Sequence, residues 1–337
     1  MLPRLTLAVS IAAAALFAAN DASAITCTAS VTTPGTTTVD IVGNNVGSAT
    51  ATVTVNQDCS SGFGERNQYF CWYIDPAATT VRDNSSYYLT ATGDSRLAWT
   101  LEKTAGSTAG RLVQRYGTSG ATAGGGCSNF TGRCVGPLNL TLRFLDRQQQ
   151  DRVRASSPAP LTPYSNTFTL KTLYGAPPAG TSIESWCANP TGAGTLTNTF
   201  TVSAFVPTKC QFESLGDVDF GSWGAIAAAS SGAGGVQATG KVEIRCTYQT
   251  PYSITIGDGQ NASAGIRQMK SGANLLAYQL YQPGCTIPWT TASPLQGTGN
   301  TVNNTNTHAV CGRLITPLAS APAAGTYTDL VIVTATF

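Results

Sequence analysis

Thr326-Tyr327-Thr328-Asp329-Leu330-Val331-Ile332-Val333-Thr334-Ala335-Thr336-Phe337 is a β-branched, largely apolar run that starts straight after the turn Pro322-Ala323-Ala324-Gly325. Such a run reads as a strand. A strand this apolar has to be paired and covered, because an uncovered edge is an aggregation site. The sequence offers no later strand, helix or charged tail. The expectation is therefore that a partner supplies the neighbouring strand, which suits an assembly subunit better than an enzyme.

The rest of the chain has the same character. Charged residues make up only 11% of its 337 residues, and there are 35 glycines. Helical bundles draw heavily on Glu, Lys and Leu, so this composition favours sandwiches of short strands. Strand-like segments alternate with Gly, Pro, Asn and Ser clusters such as Gly257-Asp258-Gly259-Gln260-Asn261, and no helical periodicity stands out. The fold class expected is all-β: two immunoglobulin-like sandwiches, within a length that allows two sizeable cores. At the N-terminus, Met1-Leu2-Pro3-Arg4 precedes an apolar stretch through Phe17 and then Ala22-Ser23-Ala24. Residues 1–24 read as a signal peptide, which implies export through the periplasm. The formal charge of +2 is sparse and spread, which leaves no basic stripe for nucleic acid.

All ten cysteines, Cys27, Cys59, Cys71, Cys127, Cys134, Cys187, Cys210, Cys246, Cys285 and Cys311, follow the leader. An even number in an exported chain implies disulfides. The chain also reads as a divergent repeat. Cys27, Thr50–Val55 and Cys59 match Cys210, Val242–Arg245 and Cys246; Leu97–Leu101 matches Leu276–Leu280. Pro177–Thr181 matches Pro322–Thr326, and Phe200–Phe205 matches Ile332–Phe337. The seam falls near Val206-Pro207-Thr208-Lys209, giving a binding domain over 25–206 and a second domain over 207–337. The repeat suggests the pairs Cys27–Cys59 and Cys210–Cys246, leaving Cys285–Cys311. Cys127–Cys134 could then close a small loop and Cys71–Cys187 a large one.

The second half resembles the spore coat protein U family, the pilin fold of archaic chaperone–usher pili. The residues that carry this are Cys210, Asp219-Phe220-Gly221, Cys246, Pro251-Tyr252, Arg267 with Met269, Tyr278-Gln279-Leu280-Tyr281 and the Pro322–Asp329 segment. With its enlarged first copy, the chain resembles the two-domain tip adhesins of such pili, the Csu class. The resemblance implies a C-terminal sandwich lacking its last strand, completed first by a periplasmic pilus chaperone and then by an adjacent pilus subunit donating a strand. It also implies passage through an outer-membrane usher. Leu330, Val331, Ile332, Val333 and Phe337 are the expected acceptor-groove residues. Only Ile25 and Thr26 separate the expected cleavage site from Cys27. Two residues at roughly 3.3 Å each cannot span a sandwich, so the chain is expected to accept a strand without donating one, as a distal tip does.

Segments found only in the first copy are the candidates for surface binding: Ser60–Tyr69, about Thr104 to Ser165, and Glu184–Pro190. Phe63, Tyr69, Phe130, Val135, Pro137, Leu138 and Trp186 lie there and could form apolar loops that adhere to an abiotic or host surface. The same aromatics could instead fill the core of a larger domain. Arg111, Arg115, Arg147, Arg152 and Arg154, with Asp146 and Asp151, leave a polar ligand open. A carbohydrate-binding adhesin and a structural coat protein are the alternatives. No nucleophile elbow, phosphate loop or paired-His metal site occurs, and the single histidine, His308, has no partner motif. No cofactor and no enzymatic activity are expected.

Overall fold

The computed structural model describes residues 26–43, 49–60, 69–75, 86–90, 95–102, 122–124, 133–145, 150, 152–158, 161–162, 164–175, 178–226, 235–316, 318 and 321–337. The first half contains β1 (Thr26–Thr32), β2 (Thr37–Thr38), β3 (Thr50–Ser60), β4 (Tyr69–Ile74), β5 (Tyr87–Thr90) and β6 (Arg96–Glu102). It continues with β7 (Thr122–Gly124), β8 (Arg133–Phe144), β9 (Ser157–Pro158), β10 (Leu161–Thr162), β11 (Tyr164–Gly175), α1 (Ile183–Ala188) and β12 (Gly194–Phe205). The second half contains β13 (Cys210–Gly216), β14 (Gln237–Cys246), β15 (Pro251–Ile256), β16 (Arg267–Ser271), β17 (Asn274–Tyr281), β18 (Leu295–Thr298), β19 (Asn306–Leu314) and β20 (Val333–Thr336). The expected all-β class is what the chain forms.

Each half has two main sheets face to face, and in the first half β9 and β10 form a separate two-stranded pair. In the first, the sheets run β1-β3-β8-β6-β5 and β2-β12-β11-β4-β7; in the second, β13-β14-β19-β17-β16 and β18-β15-β20. Period-two alternation builds the cores. In β11, for instance, Tyr164, Phe168 and Leu170 turn inward while Ser165 and Thr167 face out. The first core gathers Trp72, Trp99, Phe168 and Phe200, with Trp99 edge-on to Phe168 at 4.7 Å between centroids. The second gathers Ile244, Ile254, Tyr278, Leu280 and Trp289.

The strand orders revise the repeat. Its first two matches hold: β1 and β3 correspond to β13 and β14, and β6 corresponds to β17. The last two do not. Strand β4 lies between β7 and β11, and its counterpart β15 lies between β18 and β20. Therefore β20 corresponds to β11, and β12, which holds Phe200–Phe205, has no counterpart among the described residues. The match of Phe200–Phe205 to Ile332–Phe337 rested on shared β-branched and aromatic composition, which neighbouring strands of one sheet also share.

Three bridges join cysteines as expected: Cys71–Cys187, Cys210–Cys246 and Cys285–Cys311. Cys27 is disulfide-bonded and stands opposite Cys59 in the β1–β3 ladder. The Cys127–Cys134 expectation lies outside the described residues. At the seam, Lys209 Nζ bonds the Asp40 carboxylate and Tyr248 N donates to Val153 O at 3.0 Å. Val302, from the second half, is buried in the first core. Burial by itself would raise the Asp40 pKa, but the bonds from Lys209, Gly43 and Val42 outweigh it and hold the carboxyl below its ordinary value.

Candidate strand-acceptor groove

The ladders place residues of the two halves in register. Cys27↔Cys59 answers to Cys210↔Cys246, and Val53↔Leu140 to Gly240↔Val310. Trp99↔Phe144 answers to Tyr278↔Leu314, and Tyr87↔Trp99 to Arg267↔Tyr278. The first half thus serves as a template for the second.

In the template, β12 runs antiparallel to β11 from Tyr164↔Ala204 to Tyr174↔Gly194. It buries Phe200, Val202 and Ala204, and the Phe200 ring lies 6.0 Å from Phe168 and 6.4 Å from Trp99. At its far end β2 adds in parallel, and Asn198 Nδ2 donates to Ala29 O of β1 at 2.8 Å, closing the sandwich side. In the second half, no strand among the described residues occupies the corresponding place beside β20. A groove of about 600 Å3 lies there instead. Its floor includes Val242, Ile256, Tyr278, Leu280 and Val310. Tyr278 holds the ladder position of Trp99, so the groove opens over the residue that Phe200 contacts in the template.

One wall is β20 and the residues before it. Val331, Val333 and Ala335 are half-buried against the second core, whereas Leu330, Ile332 and Phe337 are 61%, 72% and 56% exposed. Of the expected acceptor residues, Val331 and Val333 point to the core. Ile332 does not, because alternation sends it to the opposite face; Leu330 shares that parity, and Phe337 lies past the end of the paired segment. The other wall follows β13. Val218 and Phe220 sit over Gly312, and Val218 also over Gly240. A Cβ at Gly312 would collide with both side chains. The template counterparts of Gly312 and Gly240 are Leu142 and Val53, both fully buried. The second half has thus exchanged two core side chains for glycine and seats Val218 and Phe220 above them. Sequence reading missed these floor and wall residues; the alternation of Val218 and Phe220 was the available signal.

The rim is polar. The Tyr278 hydroxyl donates to Asp329 Oδ2 at 2.7 Å, and Asp329 Oδ1 accepts from Gln260 N at 3.0 Å. Burial and the Asp329 hydrogen bond push the Tyr278 pKa upward, so it stays a neutral donor. His308 lies outside the groove, with Nε2 2.8 Å from the Tyr252 hydroxyl. Burial lowers its pKa below 6.5. The unfolded chain therefore takes up a proton at higher pH than the folded one. The stability this group contributes is complete above pH 6.5 and declines as pH falls through the folded pKa. Urea midpoints should drop between pH 7.5 and pH 5, and His308→Asn should flatten that step; an unchanged step would reject the assignment.

The surface-binding candidates fare unevenly. Phe63 and Phe130 lie outside the described residues. Tyr69 begins β4, and Val135, Pro137 and Leu138 belong to β8, paired with Asp58, Asn56 and Val55, so these are strand positions rather than loops. Leu138 is half-buried against the first core. The side chains of Tyr69, Val135 and Pro137 are outside the description. Trp186 is 1% exposed and packs with Cys71, Tyr73, Leu173 and Cys187. The Cys71–Cys187 bridge draws α1 onto β4 and takes Trp186 inward, so Trp186 is a core residue. Arg152 accepts a bond from Ser95 on its carbonyl, and the Arg154 guanidinium lies 5.6 Å from the Tyr248 ring centroid at the seam. Arg111, Arg115, Arg147, Asp146 and Asp151 are outside the described residues. Among the described residues, no cluster of three or more His, Cys, Asp or Glu could hold a metal ion, and no helix is long and apolar enough to cross a membrane.

Among the described residues, the second half is thus a β-sandwich with one strand place open between two sheet edges. Residues 196–334 match the Spore Coat Protein U domain. Among solved structures, the chain is similar to the tip adhesion subunit CsuE of Acinetobacter baumannii in a chaperone–tip adhesion subunit pre-assembly complex. The two share 15% identity over 93% of this chain and 100% of that one, with a TM-score of 0.48. The CupB6 tip adhesin of Pseudomonas aeruginosa is 12% identical over 94% of each chain, with a TM-score of 0.39. CfaE, the adhesive subunit of CFA/I fimbria of enterotoxigenic Escherichia coli, is 12% identical over 94% of this chain and 78% of that one, with a TM-score of 0.26. No curated protein matches the chain.

Proposed function

We propose that this protein is the distal tip adhesin of an archaic chaperone–usher pilus. Residues 25–206 form the adhesive domain, and residues 207–337 form the domain that attaches it to the fibre. The observation that carries this reading is the open place beside β20, where the first half uses β12. An extended segment added there gains main-chain bonds along β20 and apolar contacts on the groove floor. The Spore Coat Protein U match over this half supports it. A periplasmic chaperone fills the place first, an adjacent pilus subunit fills it after passage through the outer-membrane usher, and the tip is displayed at the cell surface. Co-expression of the full chain with the chaperone and usher of its pilus should give a soluble one-to-one chaperone complex in the periplasm. Full recovery of the chain as a free, folded monomer in the absence of the chaperone would overturn the reading.

Adhesion is assigned to Phe63 and Phe130, which the sequence alone marks as candidates for apolar loops. Each large apolar side chain buried on a surface contributes about 1.5–3 kcal/mol, and many pili per cell multiply it by avidity. Changing both to Ser should remove attachment to plastic while chaperone complexes and surface pili persist. Binding competed away by free sugars would favour the carbohydrate alternative.

A further inference from the structure

Added strands have two faces, and the groove floor reads only one. In the first half the outer face of the β11–β12 pair is a polar zipper. Ser165 meets Ser203 and Thr167 meets Thr201, each pair with hydroxyl oxygens 3.0 Å apart, and Lys171 Nζ donates to Thr197 Oγ1 at 2.8 Å. Strand β20 corresponds to β11, and the outer face of its second part is similarly polar, with Thr334 and Thr336 exposed. Its approach is different. Leu330 and Ile332 are 61% and 72% exposed, and Ile332 O, bonded to Gly257 N at 2.8 Å, keeps the segment in the sheet beside a residue without a side chain.

We infer that the donated strand is apolar on both faces over the part that passes Leu330 and Ile332, and apolar on the inner face alone where it passes Thr334 and Thr336. The occupant of the outer apolar pair is the strand itself, since cross-strand neighbours on one face lie about 4.5–5.5 Å apart and pair by kind. The surface is continuous with the groove, whose lining includes Leu330. With β12 as the guide, the strand runs antiparallel to β20, so its two-faced part is the C-terminal one. A partner whose donor strand alternates strictly apolar and polar throughout would leave Leu330 and Ile332 exposed and bind less tightly.

This rests on the strand-addition reading above, and one experiment separates the two. A copy of Gly194–Val206 is joined after Phe337 of the full chain by a short turn, so that it can fold back beside β20. A second version carries Thr199→Val and Thr201→Val in that copy, at the outward positions opposite Ile332 and Leu330 in the register that β12 keeps with β11. Both fusions should melt higher than the unfused chain, and the second should exceed the first by about 2–4 °C. Placing Leu330→Thr and Ile332→Thr in the chain should abolish or reverse that preference. Two stabilised fusions with equal midpoints would overturn the two-faced assignment and leave strand addition standing. Two fusions that melt no higher than the unfused chain would remove both.

Discussion

Changing Val333 to Asp should abolish recovery of the chaperone complex, while Thr334→Asp, one residue along, should leave it nearly intact. Val333 pairs with Ile256 across the β15–β20 ladder and turns toward the second core. Once a strand is seated, position 333 is enclosed between the groove floor and the incoming side chains. An unpaired carboxylate buried there costs several kcal/mol, and each 1.4 kcal/mol is a factor of ten in affinity. A loss of at least about a hundredfold follows. Thr334 is exposed on the opposite face, where a carboxylate stays hydrated. The yield of one-to-one complex from the periplasm is the measurement. Equal losses at both positions would show that the strand is simply unstable, and no loss at Val333 would show that the groove is not where the partner binds.

The final run Thr326–Phe337 was legible as strand-forming, although only Val333–Thr336 within it pairs as a strand, and the cysteines at 210, 246, 285 and 311 were legible as two bridges. Alternation within the final strand was not assigned from the sequence. The run is apolar on both faces before Thr334, so composition could not tell Val331 from Ile332; packing of Val331 on the second core and exposure of Ile332 do. The repeat was readable where core positions recur at matched spacing, as in Leu97–Leu101 and Leu276–Leu280. It misled where two adjacent strands, β11 and β12, have similar composition, and only the pairing with β4 separates them. Trp186 was open to two readings, a loop aromatic or a core residue, and its place beside Cys187 favoured the second; the bridge to Cys71, 116 residues away, puts it in the core. Pro137 was expected on an apolar loop, yet β8 carries it opposite Asn56. The glycines at 240 and 312 could be read as turn residues, and their role as floor beneath Val218 and Phe220 appears only with both sheets in place.

Arg267 gives the second large effect, and its position shows why the open half differs chemically from the closed one. The ladder sets it where the first half has Tyr87, which packs on Trp99 at 5.0 Å between centroids. Arg267 is 1% exposed. Its Nε donates to Gly257 O and its Nη2 to Ile256 O and Trp289 O, each at 2.8 Å, and Nη1 bonds Gln279 Oε1. Burial pulls its pKa down, while Tyr278, Asp258 and Asp329 pull against it. The guanidinium thus gathers the end of β15, the buried Trp289 and β17 around one planar donor. Ile256 is groove floor, so this cation also fixes the surface on which the strand lands. Arg267→Met removes the donor and leaves buried carbonyls unpaired, each costing about 1–3 kcal/mol. Some relax toward water, so a net loss of about 3–5 kcal/mol is expected in urea unfolding of the chaperone-bound chain. Arg267→Lys should recover little, because an ammonium cannot match the fixed fork of donors. A midpoint for Arg267→Met equal to the parent would mean that the carbonyls find other partners and that the cation does not hold the groove floor. A Lys variant as stable as the parent would show that charge, and not planar geometry, is what the site requires.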